Sequence, residues 1–231
     1  MIRLSLNVAP PVAVAYCDNV TRLFVSRNAH VLALDDVSFT VGEGELVVIA
    51  GPSGSGKSTM LPILGCLDRP TSGSVRVREQ ELTLLSRRER RSMRRDVIAS
   101  ILPQPTDNLL VNRTGVDNLR IAAKQREGSG DDVARIIDDI GINEFVSRPA
   151  GRMSGGEQQR LALACALVGG TPLVLADEPT GALDDASAEQ VVAAMLHATS
   201  RGATIVAASH DANVIDAATT VVRLEHGRRV A

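Results

Sequence analysis

Gly44-Glu45-Leu46-Val47-Val48-Ile49-Ala50 runs without a break into Gly51-Pro52-Ser53-Gly54-Ser55-Gly56-Lys57-Ser58-Thr59, and then into the apolar stretch Met60 to Leu67. The first part has no polar residue from Leu46 to Ala50, which predicts a strand buried on both faces of a sheet. The second part matches G-x-x-x-x-G-K-[ST] in full, between a strand and a helix, as a phosphate-binding loop requires. Its glycines let the backbone wrap closely around phosphate with the N–H groups turned inward. The helix N-terminus behind it favours negative charge. Lys57 is placed to reach terminal phosphates, Ser58 to ligate Mg²⁺ and Thr59 to bond a phosphate oxygen. A chance Gly-rich turn is the plainer reading, but it would not call for both flanks. Pro62 falls inside the following helix, where its missing N–H and its ring predict a kink.

Outward from this stretch the pattern alternates strand and helix, which predicts an α/β fold with a largely parallel sheet. Thr171-Pro172 precede a second buried strand, Leu173 to Ala176, and Thr204 to Ala208 reads as a third. Thr40 to Gly44 reads as a turn. Ala13 to Thr40 has β-like alternation and is expected to form an antiparallel flank. Between Thr106 and Arg152 the pattern becomes helical, with Val116 to Arg126 and Asp131 to Ile140 separated by Gly128-Ser129-Gly130. The expected organisation is one domain, with a core of residues 1–104 and 153–231 and a small inserted helical lobe over 105–152.

The chain has 231 residues, 44% of them hydrophobic, enough for a sizeable core and against global disorder. Only 2% are aromatic, so that core must be aliphatic. A net charge of −2 gives no general pull toward nucleic acid. Cys17, Cys66 and Cys165 are widely spaced and match neither a disulfide framework nor a zinc site; a reducing compartment is expected. No apolar run is long enough to span a bilayer. Met1 to Tyr16 lacks a signal-peptide plan and reads as a loose terminus leading into a strand. A cytoplasmic location is expected.

Leu173 to Ala176 ends in Asp177-Glu178. Ligands of open α/β sheets sit at the carboxyl ends of strands, so Asp177 is placed to hold Mg²⁺ and Glu178 to act on an attacking water. A solvated strand end is the alternative. A second feature is Met153-Ser154-Gly155-Gly156-Glu157-Gln158-Gln159-Arg160, ahead of an apolar helix. Ser154 and Glu157 have capping-box spacing. Gly155 and Gly156 lower helix propensity in that first turn, which suggests exposed N–H groups and another anion site. Two such sites for one terminal phosphate suggest sites shared across a dimer.

With these motifs in this order, the sequence resembles the ATP-binding subunits of ABC-type ATPases over essentially its whole length. Within them it is most similar to the group serving lipoprotein release, macrolide-type export and the cell-division complex. Val37-Ser38-Phe39, Leu67 to Gly73 and Leu175 to Asp184 carry the likeness, with the two Gly-bearing segments. The resemblance implies a P-loop core and a head-to-tail dimer, most simply a homodimer, closing on two ATP molecules with Mg²⁺. It implies a separate transmembrane permease subunit as partner, holding the chain peripherally at the inner face of the membrane. In this likeness Glu178 is the catalytic glutamate and His210 the residue that bonds the terminal phosphate. Gln104 senses Mg²⁺ and couples core to helical lobe. Ser154, Gly155, Gly156 and Glu157 contact ATP held by the other subunit, and Asp184 lies at the dimer seam. Phe24 aligns with the aromatic that stacks on adenine, a buried core Phe being the alternative.

The chain departs from the pattern at three places. Pro103 and Pro105 bracket Gln104, which implies a stiffer loop. Cys165 stands where Arg is usual, and Met153 stands where Leu is usual. None is a phosphate-contacting group. The basic run Arg87 to Arg95 reads as a solvated helix face, with anionic lipid or an acidic partner loop as the alternative. A DNA-repair or ribosome-linked ATPase would need a coiled-coil insertion or a second cassette, for which Gln104 to Ser154 leaves no room. A small-molecule kinase would not need the Ser154 segment or His210. A regulatory, non-hydrolysing cassette would not need Lys57, Asp177, Glu178 and His210 together.

Overall fold

β3 (Leu46–Ala50) is buried at every residue, and its side chains alternate between two cores. Leu46, Val48 and Ala50 belong to one apolar cluster, Val47 and Ile49 to the other. That is the period-2 geometry of a strand covered on both faces. Each fully buried Leu, Ile or Val contributes about 1.5–3 kcal/mol, so this layering is a principal source of stability.

The computed structural model describes residues 13–26 and 30–230. β1 (Ala13–Val25) and β2 (His30–Gly42) pair antiparallel and precede β3. The glycine loop then leads to α1 (Lys57–Leu64), β4 (Ser72–Val77), β5 (Gln80–Glu81), α2 (Arg87–Asp96) and β6 (Ile98–Ile101). Next come α3 (Gly115–Gln125), α4 (Gly130–Ile140), α5 (Gly155–Leu167) and β7 (Leu173–Asp177). α6 (Asp185–Ser200), β8 (Ile205–Ser209), α7 (Ala212–Asp216), β9 (Thr220–Glu225) and β10 (Arg228–Val230) complete the order.

One sheet runs β10-β9-β3-β8-β7-β6, parallel except where β10 returns against β9. The other is the antiparallel flank β2-β1-β4-β5. The flank packs with α1 and α2 against one face of the parallel sheet, and α3 to α6 cover the other. The expected fold class is the observed one. Residues 105–152 hold α3, α4 and two short 3-10 turns. Their apolar residues Leu119, Val133, Ile140 and Phe145 share a cluster with Leu161 and Val191 of α5 and α6.

Several local expectations are corrected. The turn ahead of β3 is confined to Glu43-Gly44, because Thr40 to Gly42 still pair with β1. α1 stops at Leu64, two residues past Pro62 and short of the apolar stretch ending at Leu67. The Leu67 and Asp68 amides turn back onto the Pro62 carbonyl. The basic run is helical, but not all of it is a solvated face. Arg90 is buried and donates through Nε and Nη2 to the Cys66 carbonyl, at 3.0 and 2.8 Å, and through Nη2 to Asp68 O. Carbonyls just beyond a helix end lack intrahelical donors, and a guanidinium supplies them. Arg87, Arg88 and Arg91 are exposed as expected. The expectation for Met1 to Tyr16 falls mostly on residues 1–12, outside the described ones; from Ala13 the chain is β1.

Candidate nucleotide site

Three adjacent strands end at one cleft. β3 delivers the glycine loop, β7 delivers Asp177-Glu178, and β8 delivers Ser209-His210. A cavity of about 610 Å³ opens there, bordered by Ser53, Gly54, the run Gly56 to Thr59, Gln104, Glu178 and His210. A larger cavity of about 840 Å³ lies at the opposite, amino ends of the strands, around Glu43, Pro172 and Thr204. Its rim sets Arg76, Arg78, Arg135 and Arg201 against Glu43, Glu79, Asp132 and Asp139, so it favours no sign of ligand charge. The smaller cleft gathers the loop, Glu178 and His210 that the sequence singles out.

The loop is fixed from beneath. Gly51 has φ 153° and Gly56 has φ 109°, both outside the range of ordinary L residues. A Cβ on Gly51 would lie 2.2 Å from the Leu224 carbonyl, and one on Gly56 would lie 2.6 Å from the Ala33 carbonyl. The turn between β9 and β10 braces the loop: Gly227 N–H donates to Ser55 O at 3.0 Å, and Asp35 N–H donates to Gly227 O at 2.8 Å. Lys57 is buried and donates to the Gly51 and Pro52 carbonyls at 2.7 and 3.1 Å. Its Nζ is 3.8 Å from Glu178 Oε1.

Glu178 sits in the left-handed region at φ 45°, a conformation that costs a non-glycine residue about 1 kcal/mol or more and clusters at functional sites. Its N–H donates to Ala208 O at 2.9 Å, which ties β7's end to β8. His210 Nδ1 lies 3.0 Å from both carboxylate oxygens of Glu178. With the proton on Nδ1, the ring donates to Glu178 and leaves Nε2 free to meet a ligand. Ser209 Oγ donates to Glu178 Oε2 at 3.5 Å, and Thr180 Oγ1 donates to Asp211 Oδ2 at 2.7 Å. Sequence reasoning missed Ser209 as a support of Glu178, and Asp211, whose N–H donates to Ser209 Oγ at 3.1 Å; both flank His210 directly, which was the available signal.

Asp177 Oδ1 is buried without a hydrogen-bond partner beside the Ser58 hydroxyl. Burial, helped by the Glu178 carboxylate, raises its carboxyl above the usual range, while Lys57 and Ser58 oppose the shift. Two hard oxygen donors, one of them otherwise unpaired, fit a small divalent cation such as Mg²⁺. The raised carboxyl also has a consequence for stability. Native Asp177 holds its proton to higher pH than it does unfolded, so its contribution falls as pH rises through the window between the two values. Asp177→Asn should therefore raise stability at pH 7, without nucleotide or metal, by about 1 kcal/mol, or roughly 3 °C in Tm. The gain should vanish below about pH 4, where the carboxyl is protonated anyway. Thermal melts at both pH values check this; an unchanged or lower Tm at pH 7 contradicts it.

Gln104 borders the cleft, its backbone carbonyl held by Asn108 Nδ2 at 3.1 Å. Phe24 is 43% exposed, which excludes the buried-core alternative. It does not border the cleft itself but pairs across the hairpin with Val31, which does. Ser154, Gly155, Gly156, Glu157 and Asp184 stand apart from this cleft. Ser154 and Glu157 form the expected capping box, with Ser154 N–H to Glu157 Oε2 at 2.8 Å and Glu157 N–H to Ser154 Oγ at 3.3 Å. Gly155 is exposed as expected, but Gly156 is buried. A Cβ on Gly156 would lie 2.8 Å from Ser187 Cβ, so close packing of α5 on α6 explains that glycine. Asp184 caps α6, accepting from Ser187 N–H at 2.9 Å. Cys165 is half-buried, its thiol pushed up to about 12 by burial, and its carbonyl accepts from Arg126.

Residues 34–181 match the family model described as ABC transporter. The chain belongs to the ABC transporter family. It is an ABC-type ATPase cassette. It is 37% identical over 218 residues to the probable syringafactin export ATP-binding/permease protein SyfD of Pseudomonas syringae pv. syringae (strain B728a), covering 93% of this chain and 33% of that one. It is 37% identical over 221 residues to the macrolide export ATP-binding/permease protein MacB of Hyphomonas neptunium (strain ATCC 15444), covering 92% of this chain and 33% of that one. The chain thus spans about a third of the length of these curated relatives. Among solved structures, the dimeric cassette MJ0796 bound to ADP and Pi is similar at TM-score 0.80 and 34% identity, covering 94% of this chain and 97% of that one. Among the described residues, no helix of this cassette is long and apolar enough to cross a membrane.

Proposed function

We propose that this cassette hydrolyses ATP, with Mg²⁺, as the motor of an export-type membrane complex, and that it works as a head-to-tail homodimer. The observation that carries the reading is the Glu178 carboxylate, held by His210 and Ser209 and 3.8 Å from Lys57 at the phosphate loop. The loop amides and Lys57 would bind the phosphates, and Ser53, Gly54, Ser55 and Thr59 belong to that cradle. Ser58, Asp177 and Gln104 would hold Mg²⁺, which neutralises phosphate charge when bound. Glu178 would orient water and take its proton, with the His210 ring holding the carboxylate in place. The spread of charge onto the leaving phosphate would be met by Lys57.

Ser154 to Glu157 and Asp184 are read as the surface offered to the partner's ATP. Their distance from the chain's own cleft supports that reading. Residues 105–152 are read as the lobe that meets the membrane subunit, and Gln104 as its link to the core. The two export relatives, each named an ATP-binding/permease protein, support a permease partner, and such a partner would hold the cassette at the inner membrane face.

Gly155→Asp separates a shared site from a single-chain one. Gly155 is exposed, and an added Cβ would meet only the flexible Leu183 Cδ2, at 3.0 Å. An acidic side chain suits the first turn of a helix, so the fold is kept. The isolated subunit should bind ATP within about twofold of wild type, while turnover falls at least tenfold, because like charge opposes a phosphate arriving from the partner. Calorimetry and phosphate release measure the two quantities. Weakened ATP binding by the monomer, or unchanged turnover, would overturn the shared site.

A further inference from the structure

The cleft leaves one question that the phosphate chemistry does not answer: what fixes the platform for the base. Arg22 and Phe24 are two residues apart on β1, and the Arg22 guanidinium lies over the Phe24 ring, 4.5 Å from its centroid. One face of the ring is therefore covered, while the residue as a whole stays 43% exposed. The same guanidinium is gripped from outside the hairpin. Arg22 Nη2 donates to Asp68 Oδ1 at 3.0 Å and lies 2.8 Å from Oδ2. Arg22 Nε is buried without a hydrogen-bond partner, so hydrogen bonding alone does not account for its placement. Stacking on the ring does.

Asp68 is anchored in turn. Its N–H donates to the Pro62 carbonyl at 3.0 Å, inside the helix that begins at Lys57. The neighbouring Thr71 straps the same strand: Thr71 N–H donates to Thr21 O at 2.7 Å, and Leu23 N–H donates to Thr71 Oγ1 at 3.0 Å. The chain of contacts runs from the phosphate-binding helix through Asp68 and Arg22 to an exposed aromatic ring. That ring stands opposite Val31, which borders the cleft.

We propose that Arg22 is a positioning residue for the nucleotide base: clamped by Asp68, it holds the Phe24 ring so that its free face receives the purine. The proposal rests on the reading that Phe24 stacks on adenine of ATP bound in the cleft. It makes base affinity depend on a residue that touches neither phosphate nor base. Stacking of a base on an aromatic ring is sequence-tolerant, so the effect should fall on affinity and leave the chemical step alone.

The test compares ATP with inorganic triphosphate, which lacks the base, by calorimetry on the full chain. Phe24→Ala should weaken ATP about tenfold. Arg22→Ala should weaken it about fivefold, and Arg22→Lys, which keeps the ion pair with Asp68 but loses the flat stack, by an intermediate factor. The double variant Arg22→Ala/Phe24→Ala should be no weaker than Phe24→Ala alone, because Arg22 acts through the ring. Triphosphate affinity should be unchanged in all four. If Phe24→Ala weakens ATP but both Arg22 variants bind as wild type, Arg22 has no positioning role. Additive losses in the double variant, or an equal loss for triphosphate, overturn it as well. If Phe24→Ala itself binds ATP as wild type does, the aromatic platform fails, and the positioning role fails with it. The platform fails likewise if the wild-type chain binds triphosphate but shows no preference for ATP.

Discussion

Glu178→Gln should lower ATP turnover by a factor of about 10²–10⁴, the range for loss of a positioned general base, and should leave ATP bound. The substitution keeps shape and removes charge. Ser209 Oγ, now 3.5 Å from Glu178 Oε2, and the His210 ring nitrogen, 3.0 Å from both oxygens, can still meet an amide oxygen. Gln adopts the left-handed backbone at φ 45° at about the cost Glu does, so the fold is untouched. Two electrostatic changes favour binding. Lys57 loses a carboxylate 3.8 Å away and is freer for phosphate. The cleft also loses a negative charge that would repel ATP. Bound ATP that is not consumed should hold subunits together, so the variant should run as a dimer in ATP and Mg²⁺ while wild type does so only transiently. Phosphate release and size-exclusion chromatography read both effects. Full hydrolysis by the variant as a lone monomer would remove Glu178 from the mechanism.

Much of this site was legible because its parts are local in sequence. The glycine loop, the Asp177-Glu178 pair at a strand end and the Ser154 capping box each declare themselves within ten residues. The strand–loop–helix order placed the glycine loop and the acidic pair at one edge of a parallel sheet, where they are found, whereas the capping box stands apart from it. What was not legible depends on contacts between distant segments. The bracing of the loop by Gly227 and Leu224 comes from a hairpin more than 150 residues downstream of it. β4 carries only the short alternation Val75-Arg76-Val77, too brief to declare a strand by itself, and β1 is broken by register shifts that blur its alternation. The sequence around Gly156 suggests ligand chemistry, whereas its neighbour across the helix pair, Ser187, supplies a packing reason. Arg90 looks, in sequence, like the solvated arginines around it. Its burial follows from the carbonyls left at the end of α1, which no local pattern announces.

The glycine loop yields the sharpest test of that long-range bracing, a comparison of Gly51→Ala with Gly54→Ala. Both residues have positive φ, 153° and 77°. Only Gly51 is enclosed: its added Cβ would lie 2.2 Å from the Leu224 carbonyl of β9, a backbone atom that cannot swing aside, while Gly54 has nothing within 4 Å. At Gly54 the cost is the left-handed backbone alone, about 1 kcal/mol. At Gly51 the backbone strain of about 1–3 kcal/mol adds to an overpacking cost of about 1–3 kcal/mol, and the sum approaches 4 kcal/mol. Against a typical total of about 5–15 kcal/mol, that is a large fraction of the fold's stability. Urea unfolding of the two variants beside wild type measures the difference, with the shift expected in midpoint and not in slope. The direction of relief is also specified. β9 must move away from β3 to admit the methyl, so the turn at Gly227 should loosen and the Ser55 carbonyl lose its donor. Hydrogen exchange at the Gly227 amide should then rise in Gly51→Ala and stay low in Gly54→Ala. Equal stability losses in the two variants would mean that the cradle holds its own shape and that the terminal hairpin merely lies beside it.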